Sequence, residues 1–451
     1  MLNMKNYTDF TEGRVFLPLM RFAIPLLGAL FLQSMYSAID ILILGKFTDA
    51  VNVSAVSTGS FIMATLTFII VGIASGTTIL LGNRIGQKRL DEAGDVVGAS
   101  ICLFVILSAV ITIVMPIAAE AVSRLMQVPT EAIVPCTQYI RICCFGAVFI
   151  CGYNILGAVF RGIGDSRTPL LAVAIAGALN VAGDLLFVVV IPWGAAGAAL
   201  ATVIAQALSL MICLVIIHFR QLPFAFSRRN IRFDRAIIRR VVGLGFPIAL
   251  QDLLVSISFL VVTAIINRLG VIASAGVGVA EKVCAFIMLV PSAYMQSVSA
   301  FVAQNVGAGN YHRAHKALIY GIGSSLAAGA VIGIVTFCRG DLMAAIFTND
   351  SDVVRIAHDY LRAYSIDCLL VSFLFCFLGY FNGCGRTQFI MWQGIIGAFC
   401  VRIPVSYLMS QITPVSVFFI GLATPSATIV QICLCAVYFI IVERKNHRMM
   451  S

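Results

Sequence analysis

Twelve times along its 451 residues this chain runs through an apolar stretch long enough to cross a bilayer. A hydrocarbon core of about 30 Å asks for about 20 apolar residues per helix. Breaks at charges, Gly and Pro place spans near 17–46, 52–82, 95–118, 132–158, 168–191, 196–218, 241–267, 272–303, 316–338, 356–382, 388–410 and 414–442. Composition agrees: 60% of residues are hydrophobic and 11% charged, with mean hydropathy +1.01, whereas a soluble domain carries about 25% charged residues. Lipid must cover what water cannot, so the expected class is an all-α integral membrane protein. Lys5, Asp9, Glu12 and Arg14 precede a first run too long for a signal peptide and without a small-residue cleavage site, which therefore reads as an uncleaved span. The 14 Cys lie mostly inside apolar runs (Cys143, Cys144, Cys151, Cys433, Cys435) and lack metal-ligand or paired-loop spacing, as packing residues would.

Lys and Arg concentrate in alternate connections, and the positive-inside rule then orients the chain. Both termini and the connection holding Arg220, Arg228, Arg229, Arg232, Arg235, Arg239 and Arg240 are expected in the cytoplasm, with the spans in the cytoplasmic (inner) membrane. The net charge of +10 is mostly this topology. Contact with anionic membrane lipids is a secondary use, and no nucleic-acid partner is expected.

The second six spans repeat the first. FAIPLL (22–27) falls on LGFPIAL (244–250), RIGQKRLDEA (84–93) on NVGAGNYHRA (305–314), and GAVFRGIGDSRTP (157–169) on GYFNGCGRTQF (379–389), at offsets of 219 to 222. An even number of spans per copy gives both copies one orientation, a parallel repeat about an axis along the membrane normal, which usually serves alternating access around a site between the halves. The expected organisation is two six-helix bundles, 1–218 and 241–451, joined by a basic cytoplasmic linker, 219–240.

A charge at a helix centre costs roughly 2.5–3.5 kcal/mol on insertion scales, so each intramembrane charge marks a partner or a watery cavity. The charged residues in that position are Asp40, Asp184, Asp252, Glu281, Lys282, Asp367 and Arg402. Gln33, Tyr36 and Asp40 share one face of the first span at i, i+3 and i+7. In the fifth span Asn180 and Asp184 are i, i+4 neighbours. Both carboxylates fall in the outer half of the first repeat and could share a pocket. Two carboxylates close together in low dielectric cannot both stay ionised, so the pair would hold a proton or a small cation. The second repeat lacks this arrangement: Asp40 falls on Val262 and Asn180 on or near Arg402. Asp252 and Asp367 could line the substrate cavity.

These residues resemble a known family, the multidrug and toxic compound extrusion (MATE) transporters, in its prokaryotic DinF-like branch. The resemblance covers essentially the whole chain, through IPLLGALFLQSMYSAIDILILGKF, FRGIGDSRTPLLAVAIAGALNVAGDLLF and FVAQNVGAGN. It implies a helix bend at Pro25, an essential Asp40 with Gln33 and Tyr36 beside it, and Asn180 and Asp184 as buried ligands of the coupling ion. By the same resemblance Tyr139 and Asn154 join the cavity and Thr202 the ion site. Where another branch has acids in the seventh and tenth spans, this sequence has Val255 and roughly Val371. The function implied is a secondary antiporter, not an enzyme, that exports small amphipathic, often cationic compounds in exchange for H⁺ or Na⁺. It would work as a monomer without cofactor or resident metal, with Na⁺ possible at Asp40, Asn180 and Asp184. A flippase for a lipid-linked oligosaccharide is the alternative, although it should carry several cavity Arg or Lys where Arg402 stands nearly alone. No DDxxD, HExxH or GxxxxGK[ST] pattern supports an intramembrane enzyme or an ATP-driven pump.

The Lys/Arg asymmetry predicts that a cysteine at position 230 reacts with a membrane-impermeant thiol reagent only from the cytoplasmic side. Labelling from outside intact cells would reverse the topology.

Overall fold

The computed structural model describes residues 8–219 and 222–450, with side chains to residue 441; Lys5 and Arg220 lie outside the described residues. The described residues form helices and turns without strands. Eleven helices are long and apolar enough to cross a membrane, and a bent pair supplies a twelfth crossing. The chain is thus a multi-pass integral membrane protein of duplicated helical bundles.

Its contacts divide the chain into two compact units. The first holds residues 8–14, Met20–Ala249 and Ala303–Asn310 of the described chain; the second holds Val15–Leu19, Leu250–Val302 and the chain from Tyr311 onward. The division therefore falls at Ala249/Leu250, inside a helix, and the connector expected as a separate linker at 219–240 packs with the first unit.

In the first unit the crossings are α1 (Phe16–Phe47), α2 (Ala50–Gly86), α3 (Leu90–Leu125), the pair α4 (Ile133–Phe145) and α5 (Ala147–Gly162), α6 (Arg167–Asp184) and α7 (Gly194–Phe219). α1 runs through Pro25 as one continuous helix. A marked break comes at Gly146, where α4 and α5 meet at 53°. A Cβ at Gly146 would stand 2.6 Å from the Val203 side chain, so α7 presses where glycine leaves room. α6 continues into a π-helical stretch, Leu185–Val190, and the amide of Ile191 donates to the carbonyl of Leu186.

The turns at one end of this unit set the depth of its polar groups. Asp49 caps α2, accepting from the Asn52 amide N–H (2.9 Å) and side chain (2.8 Å), which holds its carboxyl below the usual carboxylate range. Asn52 Oδ1 in turn accepts from the Ala195 amide at 2.9 Å. The α1/α2 turn is thereby tied to the start of α7. Asp40 lies seven residues before the end of α1 and Asp184 six before Val190, so both sit about 10 Å inside that tied end at 1.5 Å per residue.

The second unit contains the later part of α8 (Arg235–Asn267), then α9 (Val271–Ile287) and α10 (Leu289–Gly307) as far as Val302, which together make one crossing, α11 (Tyr311–Ala345) and α12 (Ser351–Gly383). α13 (Thr387–Ile395), a π-helical stretch (Ile396–Arg402) and α14 (Ile403–Ser410) make the eleventh crossing. α15 (Val417–Gly421) and α16 (Ala423–Met450) complete it.

Between α7 and α8 the connector is built rather than slack. Ser227 and Asn230 form a reciprocal cap, Asn230 donates to Asp95 at 2.9 Å, and Arg232 pairs with the same carboxylate at 3.0 Å. Gly98 lies so close that a side chain there would meet the Asn230 carbonyl. Gly98→Val should lift the connector off α3, since overpacking of this kind costs roughly 1–3 kcal/mol. In detergent-purified protein, trypsin cleavage at Arg228 and Arg229 should rise by about tenfold; an unchanged rate would show that the contact does not hold the connector.

Candidate functional site

Asp40 on α1 and Asp184 at the end of α6 come within reach of each other's carboxyl groups. As carboxylates neither has a donor to offer, and Oδ1 of Asp40 and both oxygens of Asp184 receive no hydrogen bond from the described chain. One proton between them would turn the contact into a hydrogen bond, and a small cation would satisfy both. Asp184 is 1% exposed. Asn180, one turn away and fully buried, has neither its amide nitrogen nor its oxygen engaged. Four oxygens and one amide thus lie buried and unsatisfied in one place, a costly arrangement in hydrocarbon unless water or an ion completes it.

Beside this pair lies a narrow, partly open cleft of about 10 Å³, room for about one water, lined by Tyr36, Tyr153, Asn180, Thr202, Gln206 and Ser209 among others. Tyr36 lies beside Gln33 and within electrostatic reach of Asp40. Gly177 makes the space, because a Cβ there would come 3.1 Å from the Tyr36 ring. Thr202 lines the cleft while its hydroxyl donates to the Ala198 carbonyl at 3.0 Å.

The remaining expected residues are placed differently. Tyr139 is 5% exposed within the core of the first unit, its hydroxyl 3.0 Å from that of Ser60, close enough to Asp40 to interact through charge but not among the cleft-lining residues. Asn154 turns its amide to its own helix, donating to the Ile150 carbonyl at 2.8 Å. Asp252 is partly buried on α8 of the second unit. Asp367 is 1% exposed on α12, beside Thr428 and within electrostatic reach of Arg402. It lies one turn before Val371, so the tenth crossing does carry a buried acid.

Three cleft residues escaped the sequence reading. Gln206 and Ser209 follow Thr202 at i+4 and i+7, the same-face spacing that selected Gln33, Tyr36 and Asp40, and that signal was available. Tyr153 had none, since it is adjacent to Asn154 and points elsewhere.

The sequence pattern of the MatE family matches residues 25–186 and 247–408, once in each repeat. The chain belongs to the MatE family. Members of this family are transporters rather than enzymes. Among relatives, a protein named probable multidrug resistance protein YoeA of Bacillus subtilis is 26% identical over 94% of this chain and 93% of its own length. The multidrug export protein MepA of Staphylococcus saprophyticus is 24% identical over 89% of this chain and 88% of its own. In fold, a MATE protein crystallised in complex with MaL6 superposes with TM-score 0.90 at 20% identity, covering 97% of this chain and 98% of its own.

Gly177→Leu should push Tyr36 into the cleft. Binding of a cationic dye such as ethidium to the purified protein should weaken by about tenfold, which corresponds to about 1.4 kcal/mol. Unchanged binding would place the drug site elsewhere.

Proposed function

We propose that this MatE protein is a secondary antiporter of the inner membrane, with cytoplasmic termini, exporting amphipathic and often cationic compounds by alternating access in exchange for H⁺ or Na⁺. The observation that carries it is the facing pair Asp40 and Asp184, whose oxygens lack donors beside an equally unsatisfied Asn180. Such a site is complete only when something cationic enters it, and it must lose that ion for its charges to reappear. The ion and the drug can then exclude each other, since the cleft that holds Tyr36 and Thr202 also includes Asn180. The oxygens of Asp40, Asp184, Asn180 and Thr202 suit Na⁺ as hard ligands, and the carboxyl pair suits a shared proton. The names of the multidrug relatives support a drug as the exported partner.

Exchange of one proton for one monovalent cation moves no net charge, so one pH unit supplies about 1.4 kcal/mol, or roughly tenfold accumulation. A second proton, carried by Asp184, would add another pH unit and make transport sensitive to membrane potential by about 2.3 kcal/mol per 100 mV.

The test is efflux from proteoliposomes under a pH gradient and a Na⁺ gradient imposed separately. Asp40→Asn keeps the shape and loses the titration, so energised efflux should vanish while substrate binding stays within about tenfold. Uphill pumping by Asp40→Asn at the wild-type rate would remove the proposed coupling. Asp184→Asn should be as severe if the two carboxyls act as one site.

A further inference from the structure

The two matched stretches begin at 25 and 247, a displacement of 222 residues. Carried through that displacement, Tyr36 falls on Ser258, Asn180 on Arg402, Asp184 on Ser406 and Gln206 on Thr428. The residues around the first unit's unsatisfied site thus have counterparts in the second unit, and these counterparts also converge. Arg402, 5% exposed, donates through Nη1 to the Ser258 hydroxyl at 2.8 Å and lies over the Phe259 ring with 4.1 Å from guanidinium carbon to ring centroid. Asp367, beside Thr428, stands within electrostatic reach of Arg402.

Polarity has inverted between the copies: where the first unit presents an amide and a carboxylate, the second presents a guanidinium and a hydroxyl. The unsatisfied atoms recur as well. Nε of Arg402, the hydroxyl of the fully buried Ser406 and Oδ1 of Asp367 have no hydrogen-bond partner among the described residues. Arg402 and Asp367 are not in ion-pair contact. A guanidinium in the membrane interior ordinarily pairs with a carboxylate or lines a polar cavity. Here Phe259 covers its face and a neutral hydroxyl takes one of its donors. The Nε edge is left, and the edge of a guanidinium is the part shaped for a planar anion.

We propose that the second unit holds a ligand site for zwitterionic amphiphiles, with Arg402 and Ser406 taking a carboxylate and Asp367 the positive pole. This deepens the multidrug reading and rests on it: cationic compounds need the first unit's cleft, whereas compounds that also carry a carboxylate gain a second anchor.

A matched pair of dyes tests it. Rhodamine B carries a free carboxylate beside its cationic xanthylium, and its ethyl ester has the same ring system with the carboxylate blocked. By fluorescence anisotropy, the purified full chain should bind the acid more tightly than the ester, and Arg402→Gln should weaken the acid by about tenfold or more while leaving the ester within about twofold. Equal binding of acid and ester by the wild type, or an equal loss of both in Arg402→Gln, would overturn the site. If Arg402→Gln fails to fold, Ser406→Ala should still reduce the preference for the acid by about threefold, the scale of one hydrogen bond, and an undiminished preference would overturn it. Uphill efflux of the ester from proteoliposomes reports on the antiport reading separately, so either proposal can fail alone.

Discussion

Hydrocarbon offers no hydrogen bonds, and everything distinctive about this chain follows from how it meets that constraint. Helices satisfy the backbone within each span. Hydroxyls on the helices mostly return to carbonyls four residues back, as Thr67, Ser75 and Thr263 do. Against that thrift, several buried groups have atoms that find no partner, among them Asp40, Asn180 and Asp184 in one unit and Arg402, Ser406 and Asp367 in the other. Structural polar groups in membranes are satisfied at folding. A partner from outside the described chain would satisfy those that remain open.

The twelve crossings were legible because each is written in some twenty contiguous residues, and the repeat because its landmarks keep their spacing. The break at Gly146 was not, since GAVFICG reads as uninterrupted span and its cause, Val203 on α7, is remote in sequence. The first unit's carboxyl pair was legible for a local reason: Gln33, Tyr36 and Asp40 share a helix face, as do Asn180 and Asp184, and two faces suffice to define the site. Arg402 looked solitary in sequence because its surroundings come from separate crossings; Ser258 lies 144 residues away. A cluster assembled from single residues of several helices leaves no periodicity to read. Asn154 and Tyr139 are polar residues whose own turn or core already offers them a partner.

Duplication gives two bundles the same backbone problem but leaves their polar chemistry free to diverge. Asp184 is followed by a π-helical stretch, and Arg402 closes one. Such turns free backbone groups and re-aim side chains at functional positions. The two copies have kept polar residues beside irregular turns in the corresponding crossing while changing their charge, with Arg402 in the place of Asn180 and Ser406 in the place of Asp184.

The docked connector has a further consequence for how the molecule can be taken apart. Its sequence, rich in Arg and set between two apolar runs, looks like the seam at which two ancestral genes were fused. Yet Asn230 and Arg232 are bound to Asp95 of α3, with Ser227 bonded to Asn230, and the first unit extends to Ala249 in the middle of α8. A gene split at the apparent seam would leave one fragment without the clasp over Asp95 and the other with a first helix whose leading turns belong to its partner. The old boundary between the repeats is no longer a boundary between bodies.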